Sequence, residues 1–253
     1  MRWHWLQLAS AVLVPFASPA IADRQTYDSG FEPPHLSPFP RQYEAYQILP
    51  FSFSPDGTYA FIYPKRAVVY ELDSPELLLI AVKPFRLMKE LPLYSSLAGN
   101  AKSYYAVNWS VDSSAVVFVQ GTKWGPEKVF LVPIQAGQAG RPTDLTQEVR
   151  KQVTPDFRQS KAARYNDTYD FIFESEDRQV LNEWGDTFSE KGWDVVGNGR
   201  VVIDCTCTTD PKEIEPHSWT IRFKGIWDIG SRRFLQKQFT RIARGAQRLR
   251  SDG

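Results

Sequence analysis

The chain has 253 residues, 42% of them hydrophobic, 14% aromatic and 23% charged, with 30 Lys and Arg against 29 Asp and Glu. This composition excludes a disordered tail, a collagen-like chain and a polytopic membrane protein, and the charge balance leaves no global field steering it toward nucleic acid. Two cysteines exclude a disulfide-dense scaffold, and 18 prolines and 35 aromatics stand out beside only 2 methionines.

Residues 1–22 read as a signal peptide. Arg2 and His4 form the basic start, an apolar run follows from Leu6 to Phe16, and Ala20-Ile21-Ala22 fits small-x-small cleavage. The run is about 11 residues long and broken by Pro15, well short of the ~20 residues that span a bilayer. The expectation is therefore a secreted or periplasmic chain that does not span a membrane after signal removal. Without Arg2 the basic and acidic residues number 29 each.

Residues 23–42 form a proline-rich extended lead-in. Pro33, Pro34, Pro38 and Pro40 lack the N–H that helix and ladder bonding require. From Tyr43 the pattern becomes short β-type runs. Phe51-Ser52-Phe53, Ser54-Pro55-Asp56-Gly57 and Tyr59 to Tyr63 read as strand, tight turn, strand. Pro55 presets φ, Asp56 accepts bonds from its own backbone, and Gly57 supplies a left-handed position.

The unit recurs 56 residues later, where Trp109-Ser110-Val111-Asp112-Ser113 aligns with Phe53 to Gly57 and Ala115 to Val119 aligns with Tyr59 to Tyr63. Further strands are expected at 77–82, near 87–93 and at 129–134, giving each unit about four short strands. Such a sheet needs neighbours to cover its faces. Aromatic-Ser-Pro-Asp-Gly before an apolar strand, and a later apolar strand leading to Arg141-Pro142-Thr143-Asp144-Leu145-Thr146, resembles the WD40-like repeats of TolB-type bacterial β-propellers. The resemblance implies propeller-like antiparallel four-stranded sheets over residues 43–146. Val111 and Ser113 depart from the motif, and two copies make an incomplete or irregular propeller.

Residues 147–240 read as a helix-containing connector followed by β-hairpins. Leu145, Val149, Gln152 and Val153 recur at helical spacing, with Thr143 or Asp144 as N-cap and Pro155 as the stop. A second short helix is expected over 156–165, then a strand at 169–174 and hairpins over 193–208 and 218–240. Residues 241–253 form a basic C-terminal tail, part of an Arg-rich run that starts at Arg232. The expected fold class is mainly β, with one or two short helices near 144–165.

Chemistry-bearing residues are sparse. Cys205 and Cys207 alternate onto one face of a strand, with Cα atoms about 6.6 Å apart by strand rise. A strained disulfide, a soft-metal pair with His217 or His35, and two packed thiols are the alternatives, and packed thiols are favoured. Trp124 and Trp184 lie beside Gly125 and Gly185 in polar, loop-like contexts and are candidates for a surface binding site. Glu174, Glu176 and Asp177 are the only carboxylate cluster suggestive of glycosidic chemistry. No nucleophile elbow, zincin helix, Walker loop or dinucleotide fingerprint is present. No catalytic, cofactor-binding or metal-binding residue is assigned. The expected function is a non-catalytic scaffold for another protein or an envelope component, with no nucleic-acid partner. The alternative is a carbohydrate-active or other hydrolase using loop carboxylates and aromatic subsites.

Overall fold

The computed structural model describes residues 39–49, 51–65, 76–92, 103–122, 125–164, 172–175, 192–209 and 219–242. In the first sheet, β1 (Tyr46–Ile48), β2 (Tyr59–Pro64), β3 (Glu76–Ala81) and β4 (Arg86–Pro92) lie side by side in chain order, all antiparallel. The second sheet repeats this with β5 (Ser103–Trp109), β6 (Ala115–Thr122) and β7 (Gly125–Gln135), while β8 (Gln138–Ala139) and β9 (Thr143–Asp144) divide the outer edge of β7. A helix, α1 (Leu145–Gln159), leads to the third sheet. There β10 (Ile172–Ser175) and β11 (Trp193–Val196) share one edge of β12 (Arg200–Thr208), followed by β13 (Thr220–Asp228) and β14 (Arg233–Arg241). The fold is mainly β, as its short alternating runs dictate.

The sheets are held to one another by their alternating apolar faces. Phe61, Leu77, Leu79 and Leu91 of the first sheet meet Val116, Phe118, Val132 and Ile134 of the second, with the Phe61 and Phe118 rings 5.3 Å apart. The opposite face of the second sheet, carrying Ala115, Val117, Val119, Val129 and Leu131, packs with α1 and the inner face of the third. Each fully buried Val, Leu, Ile or Phe contributes about 1.5–3 kcal/mol of transfer free energy. The outer face of the first sheet is covered by Phe39, Tyr43, Phe85 and Leu87 over Ala60, Ile62, Leu78 and Ile80. By contrast, the outward positions of β12 and β13 are Val202, Asp204, Thr206, Arg222, Lys224 and Ile226, all partly exposed. This is the composition of an end sheet facing water.

Three local expectations are corrected. Phe51-Ser52-Phe53 is not a strand. Phe51 sits at φ 58, and the Ser52 hydroxyl donates to the Phe61 carbonyl and accepts from its N–H, standing in for ladder bonds. Pro155 does not stop the helix, which continues to Gln159. Pro155 lies on the exposed face, where water can satisfy the carbonyl it leaves unbonded, while Leu145, Val149, Val153 and Phe157 anchor the buried stripe. Residues expected to start a second helix are the last turn of α1, and only a 3-10 turn at Lys161–Arg164 follows. The N-cap is Asp144, whose carboxylate accepts the Gln147 N–H at 3.0 Å.

Candidate functional site

The repeated turns carry matching hydrogen bonds. The Ser54 hydroxyl accepts the Tyr59 N–H at 2.9 Å, and the Ser110 hydroxyl accepts the Ala115 N–H at 2.9 Å. Asp56 accepts the Thr58 N–H at 3.0 Å and Asp112 the Ser114 N–H at 3.1 Å. Gly57 and Ser113 close the two turns onto the Ser54 and Ser110 carbonyls, both at positive φ. The turns also touch, since the Ser113 hydroxyl accepts the Asp56 N–H at 3.4 Å. Partial burial of Asp56 opposes its ionisation, but bonds from Ser54 and Thr58 outweigh it and hold the carboxyl below its usual range. Bonds from Ser110 and Ser114 do the same for Asp112.

Phe53 and Trp109, aligned by the repeat, differ in place. Phe53 is buried outside a strand in the cover of the first sheet, whereas Trp109 ends β5 half-buried and stacks on Tyr59 at 5.9 Å. Both lie on the same face of their own sheets, Phe53 with Ala60 and Ile62 and Trp109 with the matching Val116 and Phe118. That face is the outer one in the first sheet and the inter-sheet one in the second.

Cys205 and Cys207 are both free and buried in the layer beneath α1. Burial, with Cys207 beside it, pushes the Cys205 thiol well above the usual range. A protonated, enclosed thiol is a poor nucleophile and a poor metal ligand. Among the described residues, no group of three or more His, Cys, Asp or Glu side chains gathers at a metal-binding distance. Trp124, Trp184, Glu176, Asp177, His35 and His217 lie outside the described residues, as do the side chain of Glu174 and the signal segment.

Two other carboxylates tie the third sheet together. Asp156 on α1 accepts the Trp219 indole N–H at 2.8 Å and two bonds from the Arg241 guanidinium. Asp204 is held by Arg222 through a two-bond contact and by Lys224 at 2.9 Å. Burial alone raises both carboxyls, and these cations more than reverse it.

Arg232 and Arg233 belong to the Arg-rich run visible in the sequence, but the row they form with Lys83, Arg86 and Arg141 was missed because those members are scattered along the chain. In all three sheets a backbone bond joins the turn before the second strand rank to the end of the third strand or the residue after it: Val82 to Thr58, Ile134 to Ser114, and Ile229 to Gly199. Each bond places the turns of its own sheet at one end, and contacts of Asp56 with Ser113, Arg86 with Gly137 and Arg232 with Arg141 bring the three ends together. Across them, Arg86 donates to the Gly137 carbonyl at 2.6 Å, and Arg232 donates to the Arg141 and Pro142 carbonyls. Lys83, Arg86, Arg141, Arg232 and Arg233 are exposed there. Only Asp228 carries negative charge in these segments, and bonds from Ser231 hold it ionised. The signal available in sequence was positional: each cation occupies or flanks a turn after a third-rank strand.

No protein-family model matches the chain, and no curated protein matches it either. Among the described residues, no helix is long and apolar enough to cross a membrane.

Proposed function

We propose that the chain is an exported, non-catalytic β-sheet scaffold, built from propeller-like repeats, that binds another protein or an envelope component. The observation that carries this reading is the allocation of side chains across the stack. Apolar residues are spent on sheet-to-sheet contacts, and Asp56, Asp112, Asp156, Asp204 and Asp228 are each engaged by a turn or a cation. Among the described residues, the turn ends stay open for recognition, and in β-scaffolds such ends tolerate variation and carry binding residues. The matching bonds at Ser54 and Ser110 favour the repeat reading over a chance motif.

The test is cross-linking of the purified full chain to the envelope fraction of its own cell. A saturable complex with one component, competed by excess unlabelled chain, supports the scaffold. Failure to form one, or turnover of glycosides or peptides in a substrate panel, overturns it.

A further inference from the structure

We propose that the cation row formed by Lys83, Arg86, Arg141, Arg232 and Arg233 docks an extended, carboxylate-rich segment of a protein partner. This inference rests on the scaffold reading and names the chemistry of its partner.

Charge on the turn end is segregated by rank. Counted likewise to the first residue of the following strand, the turns between first- and second-rank strands, at 54–59, 110–115 and 197–200, carry Asp56 and Asp112 and one cation, Arg200, which lies opposite Asp228. Those between third and fourth ranks, at 82–86, 135–142 and 228–233, carry five cations and Asp228. Two strand spacings separate the rows, about 10 Å. Sheets packed face to face at ~10 Å place the cation row across roughly 20 Å, the reach of about six extended residues. The row is continuous because Arg86 bonds the Gly137 carbonyl and Arg232 bonds those of Arg141 and Pro142. These bonds orient the guanidinium groups without neutralising them, since a carbonyl bears no net charge.

Four of the five cations are arginines, whose planar fork takes a carboxylate through two parallel bonds. A flat anionic membrane pressed on this end would meet Asp56 and Asp112 as well as the cations. A narrow polyanion laid along the outer row avoids both carboxylates. The geometry thus favours a peptide over a lipid surface.

The experiment uses the full chain and a fluorescently labelled ten-residue poly-aspartate peptide, with poly-asparagine of equal length and phosphatidylglycerol vesicles as comparisons. Binding of poly-aspartate alone is expected, weakening at least tenfold from low to moderate salt as exposed charges are screened. The triple variant Lys83→Glu/Arg141→Glu/Arg233→Glu is expected to lose at least tenfold in affinity. A control, Lys151→Glu/Lys161→Glu/Arg164→Glu, on the middle of α1 and the 3-10 turn that follows it, is expected to change less than twofold. Circular dichroism melts check folding, and the milder Lys83→Gln/Arg141→Gln/Arg233→Gln substitutes where charge reversal unfolds the protein. Equal loss in the control, no poly-aspartate binding, or row-dependent binding of vesicles in its place would overturn the proposal. An envelope complex that forms and survives the row variant removes this docking site while leaving the scaffold intact. Absence of both complex and peptide binding removes both.

Discussion

The indole Nε1 of Trp109 donates to the backbone carbonyl of Ser52 at 3.0 Å, across the seam between the first and second sheets. Ser52 is fully buried, so this bond satisfies an acceptor far from bulk water. Trp109→Phe keeps the ring contacts with Tyr59 and Phe61 but removes the donor. The expected loss is about 1–3 kcal/mol, with the denaturant midpoint falling and the slope unchanged. Chemical denaturation of the two proteins checks it, and an unchanged midpoint would show that the seam does not depend on this bond.

The paired turns predict a matched response. Ser54 is 2% exposed and Ser110 3%, and each hydroxyl accepts a backbone N–H at the start of the second-rank strand. Ser54→Ala and Ser110→Ala should each cost roughly 1–3 kcal/mol through the unsatisfied amide. Because Asp56 N–H bonds the Ser113 hydroxyl, the double variant should depart from additivity. A double-mutant cycle by thermal or urea unfolding measures the coupling, and strict additivity would show the turns to be independent.

Two glycines should rank clearly. Gly192 has φ +109, and a Cβ there would drive into the Asp204 backbone carbonyl. A Cβ at Gly225 would instead meet the Phe223 and Phe234 rings at 2.8 and 3.0 Å, which can shift. Gly192→Ala is expected to cost at least about 3 kcal/mol and Gly225→Ala about 1–2 kcal/mol. Comparison of their melting temperatures decides the order.

Acid should loosen the third sheet. Asp204 is held below its usual range despite burial, because Arg222 and Lys224 bond its charged form. A depressed folded value makes this contribution complete above the unfolded value of about 3.9 and lost as the pH falls through the folded one. Stability should therefore decline below about pH 4, and Asp204→Asn should flatten that acid limb relative to the parent. Urea midpoints from pH 7 to pH 2 report this, and parallel curves would remove Asp204 from the account.

The buried thiols offer a direct chemical check. In the native protein Cys205 and Cys207 should resist a disulfide-exchange reagent, and both should react in guanidinium without prior reduction. Mass spectrometry of the unreduced chain should show no loss of two hydrogens. Rapid native labelling would contradict their enclosure.

Legibility of the sequence follows the range of the forces involved. Strands rich in β-branched and aromatic residues, such as Ala115–Thr122 and Arg200–Thr208, declare themselves because alternation is a local property. The shared face of the two cysteines was readable for the same reason. Phe51 to Phe53 misled because a serine hydroxyl can replace ladder bonds, a contact with Phe61 that no window of neighbours contains. Pro155 misled because its cost depends on which side of the helix meets water. The third sheet's antiparallel order was harder to read: Asn198 and Gly199 take its turn at φ 67 and 66 with no Ser-Pro-Asp-Gly to mark it. The cation row was invisible for a simpler reason, since Arg86, Arg141 and Arg232 become neighbours only when three sheets stack.

Each of those sheets is one uninterrupted stretch of chain, ending at Pro92, Asp144 and Arg241 respectively. Such a polypeptide can order itself one sheet at a time, pairing strands that are near in sequence without waiting for distant partners. Its vulnerable moment is the interval when the first meander is paired but Phe61, Leu77 and Leu79 still lack their cover. Pairing of β6 with β7, which presents Val116, Phe118, Val132 and Ile134, ends that exposure, so the delay between the two meanders sets how long a sticky surface stays open.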